Sequence, residues 1–484
     1  MSESKFDALD PEAFRDQAHR LVDWMADYLK TVGEKPVVPD VKPGEIRARF
    51  PAEPPESAEP FEAIFDDFQK KVVPGMTHWN HPGWFAYFPA NNSPPSILAE
   101  MLTATLGAQC MSWITSPAAT ELEEVVMEWL RFLTGLPEGF TGVIQDTAST
   151  STFVALLTAR ERATGFAFNR QGASAEGADR LCVYASTEAH SSVEKGVKLA
   201  GLGLERYRLL PTDDDYALIP EALEEAVRRD LHAGLTPCAA VAVTGTTSSS
   251  ALDPLRPIGE ICARHKIWLH VDAAYGGTAA VLPECRHILD GVELADSFVF
   301  NPHKWMFTNF DCSAYFVRDP DVLLRTFSMN PEYLKSAHDE AVSNFRDWGI
   351  QLGRRFRALK LWFVLRALGA EGIRDRVRNH IAMARAFADR VREHPDFELL
   401  APVPLSLVCF RARPGGAAPD DPSLDTLNEK LLARVNASGR VHLTHTKLKG
   451  RYTIRLSVGQ WQTDKERVEE AFRLFAEGLE AMRD

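Results

Sequence analysis

Lys304 and Asp272 are the residues of this chain whose surroundings best equip them for chemistry. Lys304 lies in the run Phe298-Val-Phe-Asn-Pro-His-Lys-Trp305, where an apolar strand gives way to a turn at Asn301-Pro302. An ammonium held among aromatic side chains at the end of a buried strand is poorly hydrated. Desolvation lowers its pKa and frees an amine that is nucleophilic toward aldehydes. Most lysines after strands are ordinary surface groups; the neighbours of Lys304 set it apart. Asp272 ends a second apolar run, Ile267-Trp-Leu-His-Val-Asp272, and precedes Ala273-Ala-Tyr-Gly-Gly277, small residues that let a flat group approach the backbone. A lysine that forms a Schiff base and a carboxylate that keeps a pyridine nitrogen protonated are what pyridoxal phosphate needs to act as an electron sink.

Three further stretches fit the same ligand. Val143-Ile-Gln-Asp-Thr-Ala-Ser-Thr-Ser-Thr-Phe153 leads from a strand toward a helix expected over Phe153–Thr164. Its hydroxyl-rich start offers free N–H groups and the positive end of a helix dipole to a phosphate. Thr244-Gly-Thr-Thr-Ser-Ser-Ser250 follows another strand and adds hydroxyl donors. Glu188-Ala-His-Ser-Ser192 follows a third, and its His190 is suited to stack on an aromatic ring. Open α/β sheets bind ligands at the carboxyl ends of their strands, so these segments belong together if the strands are parallel.

The elements that must position them follow from the pattern. Strands are expected at Gly142–Gln145, Leu181–Ala185, Ala239–Thr244, Ile267–Asp272, Ser297–Phe300 and Cys312–Val317, with helices such as Pro220–Asp230 and Leu255–His265 between most of them. Continuous apolar strands alternating with helices imply a mostly parallel sheet covered on both faces. This large α/β domain is expected over 89–365. Residues 1–88 read as a helical and extended segment. Asp10-Pro-Glu12 starts a helix with the stripe Phe14, Leu21, Val22, Met25 and Leu29, a proline-rich stretch follows, and a second helix runs from about Pro60 to Val73. Such an arm cannot bury its own stripe, which predicts a dimer. Residues 366–484 mix long helices with short strands at Leu405–Phe410 and Tyr452–Val458, a small α+β domain.

Composition narrows the class. The chain has 484 residues, 45% hydrophobic and 25% charged, as in soluble globular proteins. A formal charge of -13 argues against a nucleic-acid partner. Seven scattered cysteines without a C-x-x-C pair suit reduced core thiols in a cytoplasmic protein and provide no metal site. No signal peptide and no membrane span is expected. No G-x-G-x-x-G run follows a strand, which argues against a dinucleotide site.

The chain resembles the aromatic-L-amino-acid decarboxylases of the group II pyridoxal-phosphate decarboxylases, of fold type I, nearly end to end. The resemblance is carried by Thr77-His-Trp-Asn-His-Pro-Gly-Trp-Phe-Ala-Tyr-Phe-Pro89, Ser112-Trp-Ile-Thr-Ser-Pro-Ala-Ala-Thr-Glu-Leu-Glu123, His270-Val-Asp-Ala-Ala-Tyr275, Asn301-Pro-His-Lys-Trp305 and Leu352-Gly-Arg-Arg-Phe-Arg357. It implies Lys304 as the Schiff-base lysine and Asp272 as the partner of the ring nitrogen, with His190 and Ala274 on the two ring faces. Ala148, Ser149, Asn301 and His303 would hold the phosphate, with Thr247 close to the cofactor. Tyr333, in Asn330-Pro-Glu-Tyr-Leu-Lys335, matches a loop tyrosine that returns a proton to the α-carbon; relatives that make aldehydes tend to carry phenylalanine there.

The same resemblance places Trp79, Tyr87, Phe88 and Pro89 in an aromatic pocket, with Gln109 and Met111 reaching it across the dimer interface and Gly353 leaving room for an indole. Gln109, Met111 and Ala90 depart from the residues common in the family. The implied substrate is an aromatic L-amino acid of tryptophan, phenylalanine, tyrosine or DOPA type. An aldehyde synthase on the same fold, a decarboxylase of a non-aromatic amino acid and a catalytically silent scaffold are the alternatives.

Overall fold

The structure is a computed structural model that describes residues 10–329 and 342–483. Tyr333 lies outside the described residues. Seven strands form the main sheet: β1 (Thr141–Gln145), β2 (Leu181–Ser186), β3 (Tyr207–Leu210), β4 (Thr236–Val243), β5 (Trp268–Asp272), β6 (Ser297–Phe300) and β7 (Ser313–Val317). Their order is β1-β7-β6-β5-β4-β2-β3. Pairing is parallel from β3 through β2, β4 and β5 to β6. Only β7 is reversed, running against both β6 and β1. The link from β6 to β7 holds a single helical turn, Pro302–Trp305. A parallel return needs a longer crossover, so the chain turns back.

The strands read as unbroken apolar runs because both faces are covered. On β6, Val299 enters a core with Val154, Ala155 and Ala159 of the helix Ala148–Ala163. Phe298 and Phe300 enter a second core with Leu223 and Ile258, from the helices Pro220–His232 and Leu255–His265. The mostly parallel sheet is therefore as expected. The helix after β1 differs. It begins at Ala148 rather than Phe153, because Thr147 accepts the Thr150 N–H at 3.3 Å and caps it there.

A smaller antiparallel sheet has the order β10-β11-β9-β8, from β8 (Phe397–Leu399), β9 (Leu407–Ala412), β10 (Thr444–Leu448) and β11 (Arg451–Ser457). The helix Arg357–Glu393 precedes it and is broken at Gly369, whose φ of 64° is left-handed. Both sheets belong to one compact unit, residues 85–430 with 443–461. The other unit holds residues 1–84, 431–442 and 462–484. Its first helix, Pro11–Thr31, starts as expected: the Asp10 carboxylate accepts the Glu12 N–H at 3.0 Å. None of its residues is buried. Trp24 lies 5.1 Å from Phe68, on the second helical stretch of this unit. All seven cysteines are buried free thiols. Among the described residues no helix is long and apolar enough to cross a membrane.

Candidate active site

Five strands, β1, β2, β4, β5 and β6, end on one edge of the main sheet, and the residues there enclose a cavity of about 220 Å³. Ala148 and Ser149 come from the β1 end, His190 from β2, Thr247 from β4, Asp272 and Ala274 from β5, and Asn301, His303 and Lys304 from β6. All the residues expected around a cofactor thus line a single cavity. Phe88 and Phe310 also line it.

Lys304 sits in the short helix after β6, where Pro302, His303 and Trp305 are buried. Its ammonium lies 5.4 Å from the Phe88 ring centroid. Desolvation lowers its pKa, and the nearby Asp272 carboxylate partly opposes that shift. Asp272 is 4% exposed, and its Oδ1 accepts the Ala274 N–H at 3.0 Å. A stack of rings backs this part of the site: Tyr275 lies between Phe88 (3.8 Å) and Trp305 (4.6 Å). The Trp305 indole N–H donates to His380 Nδ1 at 2.9 Å, which fixes the residue next to the lysine.

Two histidines are held neutral as donors. His303 is buried, which pushes its pKa down to about 3, and its Nδ1 accepts the Cys312 N–H at 2.9 Å. Its proton therefore sits on Nε2. His190 caps the helix Ser191–Leu199 by accepting the Ser192 N–H at 3.1 Å on Nδ1. Desolvation lowers its pKa, with Asp272 opposing and Lys304 assisting. Asn301 accepts the Ser313 hydroxyl at 2.7 Å. The first N–H groups of a helix have no intrahelical acceptor. Thr147 satisfies that of Thr150, which leaves those of Ala148 and Ser149 at the cavity wall.

Of the residues expected on the substrate side, only Phe88 lines this cavity within the single chain. Tyr87 is 54% exposed, whereas Pro89 is buried. Trp79 belongs to the other compact unit, where its ring lies 4.3 Å from that of Trp84. Gln109, Met111 and Gly353 do not line the cavity. Within the chain Gln109 lies beside Gly353. Gln109 Oε1 accepts the Arg354 N–H at 2.8 Å and Met111 O accepts the Arg346 N–H at 2.8 Å. A Cβ on Gly353 would come within 3.2 Å of Gln109 Nε2, so the glutamine occupies the room beside that glycine. Phe310, Gly245 and Tyr275 also line the cavity and are not among the expected site residues. Gly245, at φ +90°, was signalled by its place just past a strand, and Tyr275 by the Ala-Ala-Tyr run after Asp272. Phe310 carries no comparable local signal.

A desolvated amine, a buried carboxylate and a free helix N-terminus at the carboxyl edge of a mostly parallel sheet define an enzyme that works through an aldehyde cofactor with a phosphate tail. The model of the pyridoxal-dependent decarboxylase conserved domain matches residues 43–413, and the chain belongs to that family. It is 43% identical over 479 residues to "Phenylacetaldehyde synthase" of Arabidopsis thaliana, covering 97% of this chain and 96% of the relative. It is 43% identical over 483 residues to "Tyrosine decarboxylase 2" of Narcissus pseudonarcissus, covering 98% and 95%. Among solved structures, that of Oryza sativa TDC with PLP and tryptamine superposes with a TM-score of 0.95 at 38% identity, covering 99% of this chain and 100% of the other.

Proposed function

We propose that this protein decarboxylates an aromatic L-amino acid, of tryptophan, phenylalanine, tyrosine or DOPA type, to the amine and carbon dioxide. The observation that carries this reading is the convergence of Lys304, Asp272 and the Ala148–Ser149 helix start on one cavity. Pyridoxal phosphate bound there supplies an aldehyde that condenses with amines and a ring that takes up the electron pair of the broken bond. The Lys304 amine would hold the aldehyde of the cofactor. Asp272 would keep the ring nitrogen protonated, and His190 and Ala274 would flank the ring. Ala148, Ser149, Asn301 and His303 would hold the phosphate, the histidine as a neutral Nε2–H donor, with Thr247 close to the cofactor. Tyr333, assisted by His190, returns the proton to the α-carbon as general acid. Trp79, Tyr87, Phe88, Pro89, Gln109, Met111 and Gly353 shape the side-chain pocket.

The working form in this reading is a cytoplasmic homodimer with the active site at the subunit interface. Leu98, Leu102 and Leu106 are exposed at four-residue spacing on the helix Pro94–Leu106, and Trp129 and Phe132 are exposed on Pro117–Thr134. Apolar patches of this kind are normally covered by a partner. Residues 1–88 would add the dimerisation arm, with 89–365 binding the cofactor and 366–484 completing the subunit.

A panel of amino acids, with amine, carbon dioxide and peroxide measured together, tests the proposal. Release of carbon dioxide and amine from aromatic substrates is expected. No release from any aromatic L-amino acid in the presence of pyridoxal phosphate sinks it. The likeness to a phenylacetaldehyde synthase supports a second reading, in which dioxygen and water are consumed and the aldehyde, carbon dioxide, ammonia and peroxide form instead of the amine.

A further inference from the structure

Behind the cavity, a buried imidazole joins three of the elements that carry its functional groups. His270 lies on β5 two residues before Asp272, so the two side chains share a face of the sheet. The ring is fully buried. Its Nδ1 lies 2.9 Å from the hydroxyl of Ser297, directly opposite on β6, the strand that leads to Asn301 and Lys304. Its Nε2 lies 3.3 Å from Thr152 Oγ1, on the helix that begins with Ala148 and Ser149. The Trp268 indole N–H donates to the same Ser297 oxygen at 2.9 Å. An indole N–H can only donate, so Ser297 accepts it and keeps one acceptor site and its own proton to meet His270 Nδ1. The neutral ring carries one proton, so it donates to one of Ser297 and Thr152 and accepts from the other. Burial, which brings the pKa of His270 down to about 4, keeps the ring in this neutral form.

We propose that His270 is a positioning residue: it ties the phosphate-binding helix to the strand of Asp272 through Thr152 and so sets the distance the cofactor must span. This rests on the reading of the cavity as a pyridoxal-phosphate site. Asp272 and the first turn of the helix grip opposite ends of the same rigid ligand, so a change in their spacing weakens both grips. The contact with Ser297 aims the ring; the contact with Thr152 carries the function.

The test uses the full-length protein and pyridoxal phosphate itself. Cofactor affinity is titrated on apoprotein by fluorescence, the visible band of the reconstituted protein is recorded, and the melting temperature of the apoprotein is measured. Glutamine places an amide group, donor or acceptor, near the position of Nε2, and asparagine places one near that of Nδ1. His270→Gln is expected to bind within about 3-fold of the parent, and His270→Asn about 10-fold more weakly, as expected for one lost hydrogen bond. Thr152→Val, nearly isosteric and tolerant of a folding failure at His270, should lose a similar factor, and Thr152→Ser should restore it. The double variant His270→Asn/Thr152→Val should lose no more than either alone. Equal affinities for the glutamine and asparagine variants, or an unchanged affinity in Thr152→Val, overturn the proposal. So does a loss of affinity that only follows the apoprotein melting temperature. If the parent protein develops no amine-dependent visible band, the cofactor reading itself falls and this inference falls with it.

Discussion

The floor of the cavity and its expected rim are held by different kinds of interaction. At the floor, Asn301, His303 and Asp272 are 2%, 3% and 4% exposed, and each is fixed by a backbone or side-chain partner next to its own strand end. The expected rim residues are fixed from far along the chain: Gln109 and Arg354, joined by a hydrogen bond, are 245 residues apart in sequence. Tyr87 and Phe310 stand more than half exposed. The floor groups are thus held close to their own strand ends, whereas the residues proposed to choose the substrate hang on long-range contacts. The first can stay fixed while the second varies.

Breaking the floor should have the largest effect. Lys304→Ala removes the amine, and a loss in kcat of at least about 10³-fold is expected, together with loss of the visible band of the reconstituted protein. Retained turnover with an unchanged band would show that Lys304 is not the cofactor lysine. Asp272→Asn keeps the shape and removes the charge. Loss of one such electrostatic contact is expected to lower kcat by about 10²- to 10³-fold, with cofactor still bound. A change confined to KM would move Asp272 out of the chemistry and into substrate binding.

The rim depends on a buried ion pair. Arg354 Nη2 lies 2.6 Å from Glu123 Oε1, both side chains being buried, and the same nitrogen donates to Ile144 O at 2.8 Å. Arg354→Ala would leave the Glu123 charge without its cation, a loss of about 3–5 kcal/mol. Denaturant unfolding measures it. The comparison between rim and floor adds a second expectation: KM for substrate should rise more than the cofactor dissociation constant. Equal rises would mean that the pair supports the whole domain and not the rim alone.

What the sequence disclosed divides along the same line. Lys304, Asp272 and His190 were legible because each follows a short apolar run, so a local pattern placed them at strand ends. The helix start at Ala148 was misread as Phe153, since the hydroxyl residues between have low intrinsic helix propensity and only the cap by Thr147 overrides it. The reversal of β7 was hidden because direction depends on what a connection can span and not on the strand itself. The edge strand β3 was missed because it is short, half-exposed and carries Arg208. Gln109 gave no hint that it would pack beside Gly353, because no local pattern relates residues so far apart.

Acidification should loosen the floor in a predictable order. His303 and His380 have pKa values pushed down to about 3 and His270 to about 4 by burial. An unfolded histidine titrates near 6.5, so the unfolded chain binds more protons than the folded one below that pH. The stabilisation from keeping these rings neutral is therefore complete above pH ~6.5 and is lost as the pH falls toward the folded values. Each ring removes roughly 1.4 kcal/mol per pH unit in that window. Melting temperature against pH checks this: a flat profile from pH 7 to 5 would contradict it. His303→Asn should make the profile shallower.

The smallest expected effect tests the rim most sharply. Gly353 has no left-handed backbone requirement, so alanine fits the chain there. The new methyl would meet Gln109 Nε2 at 3.2 Å, and the glutamine is tethered through Oε1 to the Arg354 N–H. The side chain must either shift by a few tenths of an ångström or give up that bond, which contributes about 1 kcal/mol. If Gln109 and Gly353 together shape the substrate pocket, Gly353→Ala should change the ratio of kcat/KM for tryptophan over tyrosine by about 10-fold, within the range a methylene-sized change produces. Gln109→Ala combined with Gly353→Ala should bring the ratio back toward the parent value, because the clash is then gone, while the melting temperature stays within about 2 °C of that of Gly353→Ala alone. Additive effects of the two substitutions would show that they act on the substrate independently, and an unchanged ratio in both would place the choice of substrate elsewhere on the rim.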